Sequence, residues 1–233
     1  MTFEAQLGSA ISDSPFSALE QFKDFPLYTP RQDLTRFLVR YELFKQVLGI
    51  HGSIVECGVF RGGGLMAWAH FSAIHEPFNH TRRIIGFDSF AGFPAVSQAD
   101  GTGHEAGEMA APGADAEIVK LAAIHDQNRP VGHISKVELV KGDATETIPA
   151  YVKANQHLLV ALLYMDFDIH APTETALKEL LDRVPRGGIV AFDELNLKEW
   201  PGETLAFLDG PVFNCGRLQR MPWQSTVSYL VIE

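Results

Sequence analysis

The 233-residue chain is 46% hydrophobic and carries a formal net charge of −10 at pH 7. This length suits one hydrophobic core, so we expect a single domain over residues 1–233. The 29 acidic residues outnumber the 19 Lys and Arg residues, and this charge would repel a nucleic-acid backbone and an anionic membrane surface. Nucleic acids and membranes are therefore disfavoured as partners.

The first twenty residues lack the basic and apolar regions of a secretory signal. The longest apolar run, residues 158–165, is too short to span a bilayer. We therefore expect a soluble, cytoplasmic protein. In that compartment the two cysteines, Cys57 and Cys215, are expected to be free thiols.

Residues 1–50 predict a helical extension before the sheet. The opening contains Pro15, Pro26 and Pro30 and is loop-like, whereas residues 31–48 place apolar side chains at helical spacing. We expect this helix to pack on the core.

From Ser53 onward, short β-rich runs alternate with helical segments, which predicts a mostly parallel sheet covered on both faces. The end of the chain predicts two further strands that form an antiparallel pair. The predicted strands are 54–57, 83–87, 136–140, 158–165, 188–192, 214–219 and 226–232, and the helices between them are 63–74, 115–127 and 173–184.

Residues 91–112 are rich in Gly, Ala, Pro and acids and have no consistent period. Irregular chain of this length is typical of a lid, a binding loop or disorder. We interpret it as a mobile lid because it directly follows a strand that carries a candidate ligand residue.

A strand that runs into a glycine-rich turn and then a helix, residues 54–64, is the first candidate ligand site. Glycines let the backbone approach a ligand closely, and the following helix N-terminus offers N–H groups to an anion. The fingerprint G-x-G-x-x-G is not met, since Phe60 occupies its second glycine position. An ordinary turn is the alternative interpretation.

Two acids end the next strands at the same edge of the predicted sheet. Asp88 follows the second strand, where an acid accepts the hydroxyls of a ribose, although it would also suit the cap of a turn. Asp143 follows the third strand and suits either an adenine amino group or the N-cap of a helix that begins near Thr145. Together with the glycine-rich turn, these acids favour a ribose-containing ligand.

Three further acids follow the central strand and its successor: Asp166, Asp193 and Glu194. The carboxyl ends of adjacent parallel strands meet, so these side chains are expected to converge. An all-oxygen set of this kind suits Mg²⁺, Ca²⁺ or Mn²⁺ better than Zn²⁺. The alternative is that each acid caps a turn and faces water separately.

These segments resemble the macrocin O-methyltransferase family, which consists of sugar methyltransferases from natural-product biosynthesis. The resemblance implies the class I methyltransferase (Rossmann-like) fold, a mostly parallel seven-stranded sheet with an antiparallel C-terminal strand. It also implies an O-methyltransferase that uses S-adenosylmethionine on a small-molecule sugar or glycosylated metabolite; a homo-oligomer is left open. The matching segments are residues 54–63, 86–94, 142–149 and 166–194.

By the same resemblance, Glu56 and Gly58 lie near the methionine part of the cofactor and Asp88 binds its ribose. Asp166 is expected to act as general base and, with Asp193 and Glu194, to hold Mg²⁺. The remaining residues expected to line the cofactor are Cys57, Phe60, Gly62, Gly63, Ser89, Asp143, Ala144 and Asp166.

The chain departs from the family at Glu194, where the family usually has Asp, and at residues 167–170. His170 is an alternative base, although a His there is more often a helix-start residue. Trp200, Trp223 and residues 90–94 suit either an acceptor pocket or plain core. Three functional alternatives are kept: a catechol-like phenol as acceptor, an NAD-dependent oxidoreductase, and a nucleotide-binding module without catalysis.

Overall fold

The computed structural model describes residues 1–224 and 226–233. The chain divides into two compact units, Met1–Leu38 and Val39–Glu233. The helices are α1 (Phe3–Ser12), α2 (Ala18–Lys23), α3 (Phe25–Tyr28), α4 (Arg31–Gln46), α5 (Gly63–His75), α6 (Ala114–Asp126), α7 (Ala144–Ala154), α8 (His170–Leu180) and α9 (Gly202–Asp209). The strands are β1 (Ser53–Cys57), β2 (Ile84–Asp88), β3 (Val137–Lys141), β4 (Val160–Met165), β5 (Ile189–Phe192), β6 (Gln219–Arg220) and β7 (Ser228–Val231).

The opening of the chain is helical, so the prediction of a loop-like opening was wrong. Ser17 and Glu20 form a capping box at the start of α2, in which each side chain binds the other residue's backbone N–H. Pro26 lies in the first turn of α3, where a missing backbone donor costs nothing. Prolines outside helix interiors are therefore compatible with α1–α3.

The sheet confirms the predicted mostly parallel architecture. Within the described residues it has seven strands in the order β3-β2-β1-β4-β5-β7-β6. The pairs among β1–β5 are parallel, whereas β7 pairs antiparallel with both β5 and β6.

The predicted strand at residues 214–219 was wrong in extent. A short 3₁₀-helix covers Pro211–Asn214, and β6 contains only Gln219 and Arg220. Pro211 starts this 3₁₀-helix, where its fixed φ is favourable. The helix α9 was missed, since the sequence analysis assigned no element between β5 and the C-terminal pair.

Helices cover both faces of the sheet. One apolar cluster joins β4 residues Val160, Leu163 and Met165 to α7, α8 and α9. The other joins Leu162 and Tyr164 to α4, α5 and α6. Every residue of β4 is buried, as the continuous apolar run predicts for a central parallel strand. No helix in the described part of the chain is long and apolar enough to cross a membrane.

Candidate active site

The carboxyl ends of β1, β4 and β5 are held together beyond the strands themselves. The Asp166 N–H donates to the Cys57 carbonyl at 2.7 Å, and the Asp193 N–H donates to the Met165 carbonyl at 2.9 Å. These two bonds extend the parallel hydrogen-bond pattern between β4 and its neighbours, β1 and β5, by one residue. The predicted acids therefore leave the sheet at one edge, where open α/β sheets bind ligands.

The glycine-rich turn after β1 is bound by Asp88 at the end of β2. The Asp88 Oδ2 accepts the N–H groups of Val59 at 2.8 Å and Phe60 at 2.7 Å, and Oδ1 accepts that of Phe90 at 2.6 Å. Phe60 has a φ of 50°, a left-handed conformation that is uncommon without glycine. Asp88 thus orders the turn, and a carboxylate still has acceptor capacity for a hydroxyl beyond three N–H bonds.

Two glycines of the turn, Gly58 and Gly63, have different structural roles. Gly58 has a φ of +94°, and a Cβ placed on it would lie 1.8 Å from the Asp166 carbonyl oxygen. A Cβ on Gly63, the first residue of α5, would meet no described atom within 4 Å. Gly58 therefore permits the close approach of β1 to β4, whereas Gly63 presents backbone to open space at a helix N-terminus.

Asp143 caps α7, which is one of the two roles that its position suggested. Its Oδ1 accepts the Thr145 N–H at 2.9 Å and the Thr145 hydroxyl at 2.7 Å. Ala144 is the first, buried residue of α7. Ser89 binds its own turn, with its hydroxyl donating to the Gly92 carbonyl at 2.7 Å. The adenine role of Asp143 stays a prediction.

The three predicted metal ligands follow β4 and β5 in different surroundings. Asp166 Oδ2 accepts a hydrogen bond from Arg40 at 3.2 Å, and the Tyr164 hydroxyl donates to Asp193 Oδ1. Asp193 is buried and Glu194 is half-buried. Among residues 1–224 and 226–233, no group of three or more His, Cys, Asp or Glu side chains is arranged to hold a metal ion.

Arg40 on α4 is a central residue of the site that the sequence analysis missed. Its side chain is 5% exposed, and its Nη2 lies 3.4 Å from Glu56 Oε1 and 3.2 Å from Asp166 Oδ2. The guanidinium carbon lies 4.5 Å from the centre of the Tyr164 ring, a cation–π distance. Arg40 thereby joins an acid of β1 to the acid after β4. Arg40 lies among the buried residues of α4, which also include Val39, Leu43 and Phe44. No signal in the sequence alone indicated that orientation.

Glu203 on α9 was also missed, because α9 itself was. It is fully buried, and its Oε1 accepts the N–H groups of Phe167 at 3.1 Å and Asp168 at 3.4 Å. Its Oε2 accepts the Glu194 N–H at 3.4 Å. One carboxylate therefore binds the loops that follow both β4 and β5.

Burial dominates the electrostatics of these acids. It raises the pKa of Glu56 to about 7, although Arg40 opposes the shift. Burial, with Asp168 and Asp193 nearby, raises the pKa of Glu203 to about 8. Burial and the charge of Asp193 raise the pKa of Asp166 well above its usual range. Burial therefore favours the protonated, uncharged forms of these acids at this edge of the sheet.

Residues 91–112 contact the loops beside the site. Asp100 Oδ1 accepts the N–H of His170, the first residue of α8, at 2.6 Å. The His104 ring stacks on Trp200 at 3.7 Å between centroids, and Phe93 meets Trp200 edge-on at 5.9 Å. Of the predicted aromatic set, Phe93 and Trp200 therefore come together, whereas Trp223 is 47% exposed.

The comparisons with known proteins agree with this arrangement. The family model described as Macrocin-O-methyltransferase (TylF) matches residues 40–205, well over half of the chain. The chain belongs to this family. It is therefore a methyltransferase, and the expected resemblance is confirmed. Among curated protein sequences, none matches the chain.

Solved structures support the family assignment. The chain is similar to the crystal structure of CalS11, described as a calicheamicin methyltransferase, with a TM-score of 0.93 and 34% identity over 97% of this chain and 90% of that chain. An apo structure of CalS11, described as a TDP-rhamnose 3′-O-methyltransferase, gives a TM-score of 0.85 and 32% identity over 97% and 92% of the two chains.

The O-methyltransferase NovP, with a TM-score of 0.63 and 18% identity over 84% of this chain and 79% of that chain, shares the fold. The chain, a member of the macrocin O-methyltransferase family, thus has the class I methyltransferase fold with its seven-stranded sheet, as expected. The family assignment also decides against the NAD-dependent oxidoreductase.

Proposed function

We propose that this enzyme transfers the methyl group of S-adenosylmethionine to a hydroxyl of a sugar or of a sugar-bearing metabolite, with the help of Mg²⁺. The observation that carries the proposal is the contact between the residues that directly follow β1 and β4, Gly58 and Asp166, which brings the glycine-rich turn beside a partly buried acid. A small-molecule acceptor, a cytoplasmic location and a homo-oligomer remain predictions.

The cofactor-binding role falls on the turn after β1 and the end of β2. The backbone of Gly63 faces open space at the start of α5, which suits the close approach of a ligand. Asp88 lies beside this turn, with acceptor capacity for a ribose hydroxyl. Glu56 lies one residue before Cys57 in β1, where a carboxylate suits the methionine ammonium group. The sulfonium supplies an electrophilic methyl group.

Asp166 is proposed as the general base. Methyl transfer requires the acceptor oxygen to align with the methyl group and to lose its proton as the bond forms. Asp166 leaves β4 beside the turn, so a hydroxyl held there can donate its proton to the carboxylate. Arg40 fixes the carboxylate by its bond to Oδ2. His170, the first residue of α8, stays the alternative base.

The donor chemistry at this edge fits Mg²⁺, although the side chains would have to turn toward a shared ion. Asp166, which is partly buried, and Asp193, which is buried, lie at adjacent strand ends, and Glu194 is the next residue. Carboxylate oxygens suit a hard divalent cation. These three residues would hold the ion, which when bound would polarise the acceptor oxygen.

Residues 91–112 are proposed to cover the site as a lid. Their contacts reach both α8, through Asp100, and Trp200 after β5, through His104. A cover of this kind would exclude water from the acceptor and line its pocket with Phe93 and Trp200.

Calorimetric titration with S-adenosylmethionine, S-adenosylhomocysteine and NAD, each with and without Mg²⁺, tests the cofactor. We expect tight binding of the first two and none of NAD. Methyl transfer should then be measured on a panel of nucleotide-linked sugars and catechols, since both offer neighbouring oxygens. Transfer to catechols alone would replace the sugar with a phenol acceptor.

The Asp166→Asn variant tests the base. We expect turnover to fall by about 10²–10⁴-fold with nearly unchanged affinity for S-adenosylhomocysteine. An active Asp166→Asn enzyme would rule out the role given to Asp166. Removal of metal by EDTA should abolish activity reversibly, and full activity after exhaustive chelation would refute the part given to Mg²⁺.

A further inference from the structure

The first turn of α9 contacts the loops after β4 and β5 and the segment 91–112, which lie beside the candidate site. It contains Gly202, Glu203 and Thr204 and follows Pro201. The Glu203 carboxylate binds the loop after β4 through Oε1 and the loop after β5 through Oε2. The Thr204 hydroxyl oxygen accepts the N–H of Asn196 at 2.9 Å, which is a second bond to the loop after β5.

Gly202 brings the same turn into backbone contact with its surroundings. A Cβ on Gly202 would lie 2.7 Å from Asp100 Oδ1, 2.7 Å from the His170 nitrogen and 2.8 Å from the Asp168 carbonyl oxygen. No side chain larger than hydrogen fits there without a backbone shift. The segment 91–112, the start of α8 and the loop after β4 therefore converge on this one residue.

Both strand-end loops contain a left-handed residue that this turn binds. Asp168 has a φ of 63° and Asn196 a φ of 67°. The first donates its N–H to Glu203 and the second to Thr204. Asp and Asn adopt left-handed backbone more readily than other residues with a Cβ, and surrounding contacts hold such a conformation in place. The turn therefore helps to fix one conformation of each loop.

We propose that Glu203 is a positioning residue for methyl transfer: by binding both loops at once, it fixes the spacing between Asp166 and the Asp193–Glu194 pair. Its oxygens bind backbone N–H groups, so it acts through the other acids and has no contact role toward the acceptor. Asp166 lies one residue before Phe167, and Asp193 one residue before Glu194, so each bonded N–H lies next to a reacting or ligating acid.

The Glu203→Gln variant tests the proposal, which rests on the proposed function for its activity readout. Gln keeps the size of Glu but replaces one acceptor oxygen with an NH₂ group, so one of the two loops loses its bond. We expect kcat to fall by about 10–100-fold and the Mg²⁺ concentration for half-maximal activity to rise by a similar factor. The Kd for S-adenosylhomocysteine, which needs the turn after β1, should stay within about twofold.

A structural readout that needs no activity separates the two proposals. In Glu203→Gln, amide hydrogen exchange should accelerate in the loop that loses its bond, which is followed in peptides that cover residues 166–169 and 193–196. The matched control is Glu174→Gln, because Glu174 is exposed on α8, and it should match the wild type in both assays. If the wild type transfers no methyl group, the proposed function fails, while the exchange data still test the positioning role.

The outcomes are decisive in either direction. Faster exchange in at least one of the two loops, with lower kcat and unchanged cofactor affinity, would support the proposal. Wild-type exchange and wild-type kcat in Glu203→Gln would overturn it. If Glu203→Gln does not fold, Glu203→Asp keeps two acceptor oxygens on a shorter side chain, and the same criteria apply to it.

Discussion

The Gly58→Ala substitution should destabilise the fold through one backbone contact. Gly58 has a φ of +94°, and an added Cβ would lie 1.8 Å from the Asp166 carbonyl oxygen and 2.5 Å from its carbon. The atoms in the way belong to the backbone of the residue that follows the central strand β4. Backbone cannot rotate away as a side chain can. The Asp166 N–H also donates a hydrogen bond to the Cys57 carbonyl, so these two segments of the chain cannot separate without losing that bond.

Two contributions set the expected magnitude. A residue other than glycine at this φ costs about 1–3 kcal/mol. Forcing a methyl group into a filled contact costs about 1–3 kcal/mol more. The sum, about 2–6 kcal/mol, is a large share of the roughly 5–15 kcal/mol that stabilises an ordinary domain. Gly58→Ala should therefore unfold at a urea concentration lower by roughly 1–2 M or more.

Gly63→Ala is the matched control, since Gly63 has no positive φ and an added Cβ meets no described atom within 4 Å. We expect its stability to equal that of the wild type or to exceed it by about 0.4–1 kcal/mol. Its affinity for S-adenosylhomocysteine should fall, because the new methyl group enters the space proposed for the cofactor. Urea unfolding and calorimetry measure both effects. Equal stability of Gly58→Ala and wild type would refute this reasoning.

Three further predictions concern charge and the lid. Arg40→Met should cost about 3–5 kcal/mol in urea unfolding because it leaves the buried Glu56 carboxylate without its cation, and Arg40→Met/Glu56→Gln should recover part of the loss. Equal losses in the two variants would contradict this. Burial lowers the pKa of Lys136 from 10.5 to about 8, so between these pH values the unfolded chain holds a proton that the folded one releases, and stability relative to Lys136→Met should rise with pH. A flat difference in urea midpoints would count against it. His104→Ala should raise the KM for the acceptor more than it changes cofactor affinity, because the stack on Trp200 is lost; an unchanged KM would argue against the lid.

The fold was predictable because its strands are short apolar runs between amphipathic helices. β4 is the clearest case: its continuous apolar sequence predicts burial on both faces, and all six of its residues are buried. The strand at residues 214–219 was not predictable in the same way. Pro211 begins a 3₁₀-helix there, and β6 is limited to two residues that pair with β7. Such a short edge strand depends on its partner and leaves little pattern in its own sequence.

The site was predictable where chain order alone sets position. Asp88, Asp166 and Asp193 each follow a parallel strand, and the sheet topology brings such residues to one edge. Arg40 and Glu203 come from helices, and the sequence does not say how a helix is rotated over an edge. Their contacts depend on tertiary packing, which places a charged side chain inward only because a partner of opposite charge or a backbone donor is already there.

Arg40 and Glu203 also explain how the loops that carry these acids can stay together at one edge of the sheet. Arg40 offsets charge by bridging Glu56 and Asp166. Glu203 brings no positive charge to the neighbouring acids, so its contribution must come from the N–H groups that it binds. A residue that served stability alone would be better replaced by an apolar side chain of similar size. The buried position of Glu203 is therefore best explained by the geometry that it imposes on the two loops that carry Asp166 and the Asp193–Glu194 pair.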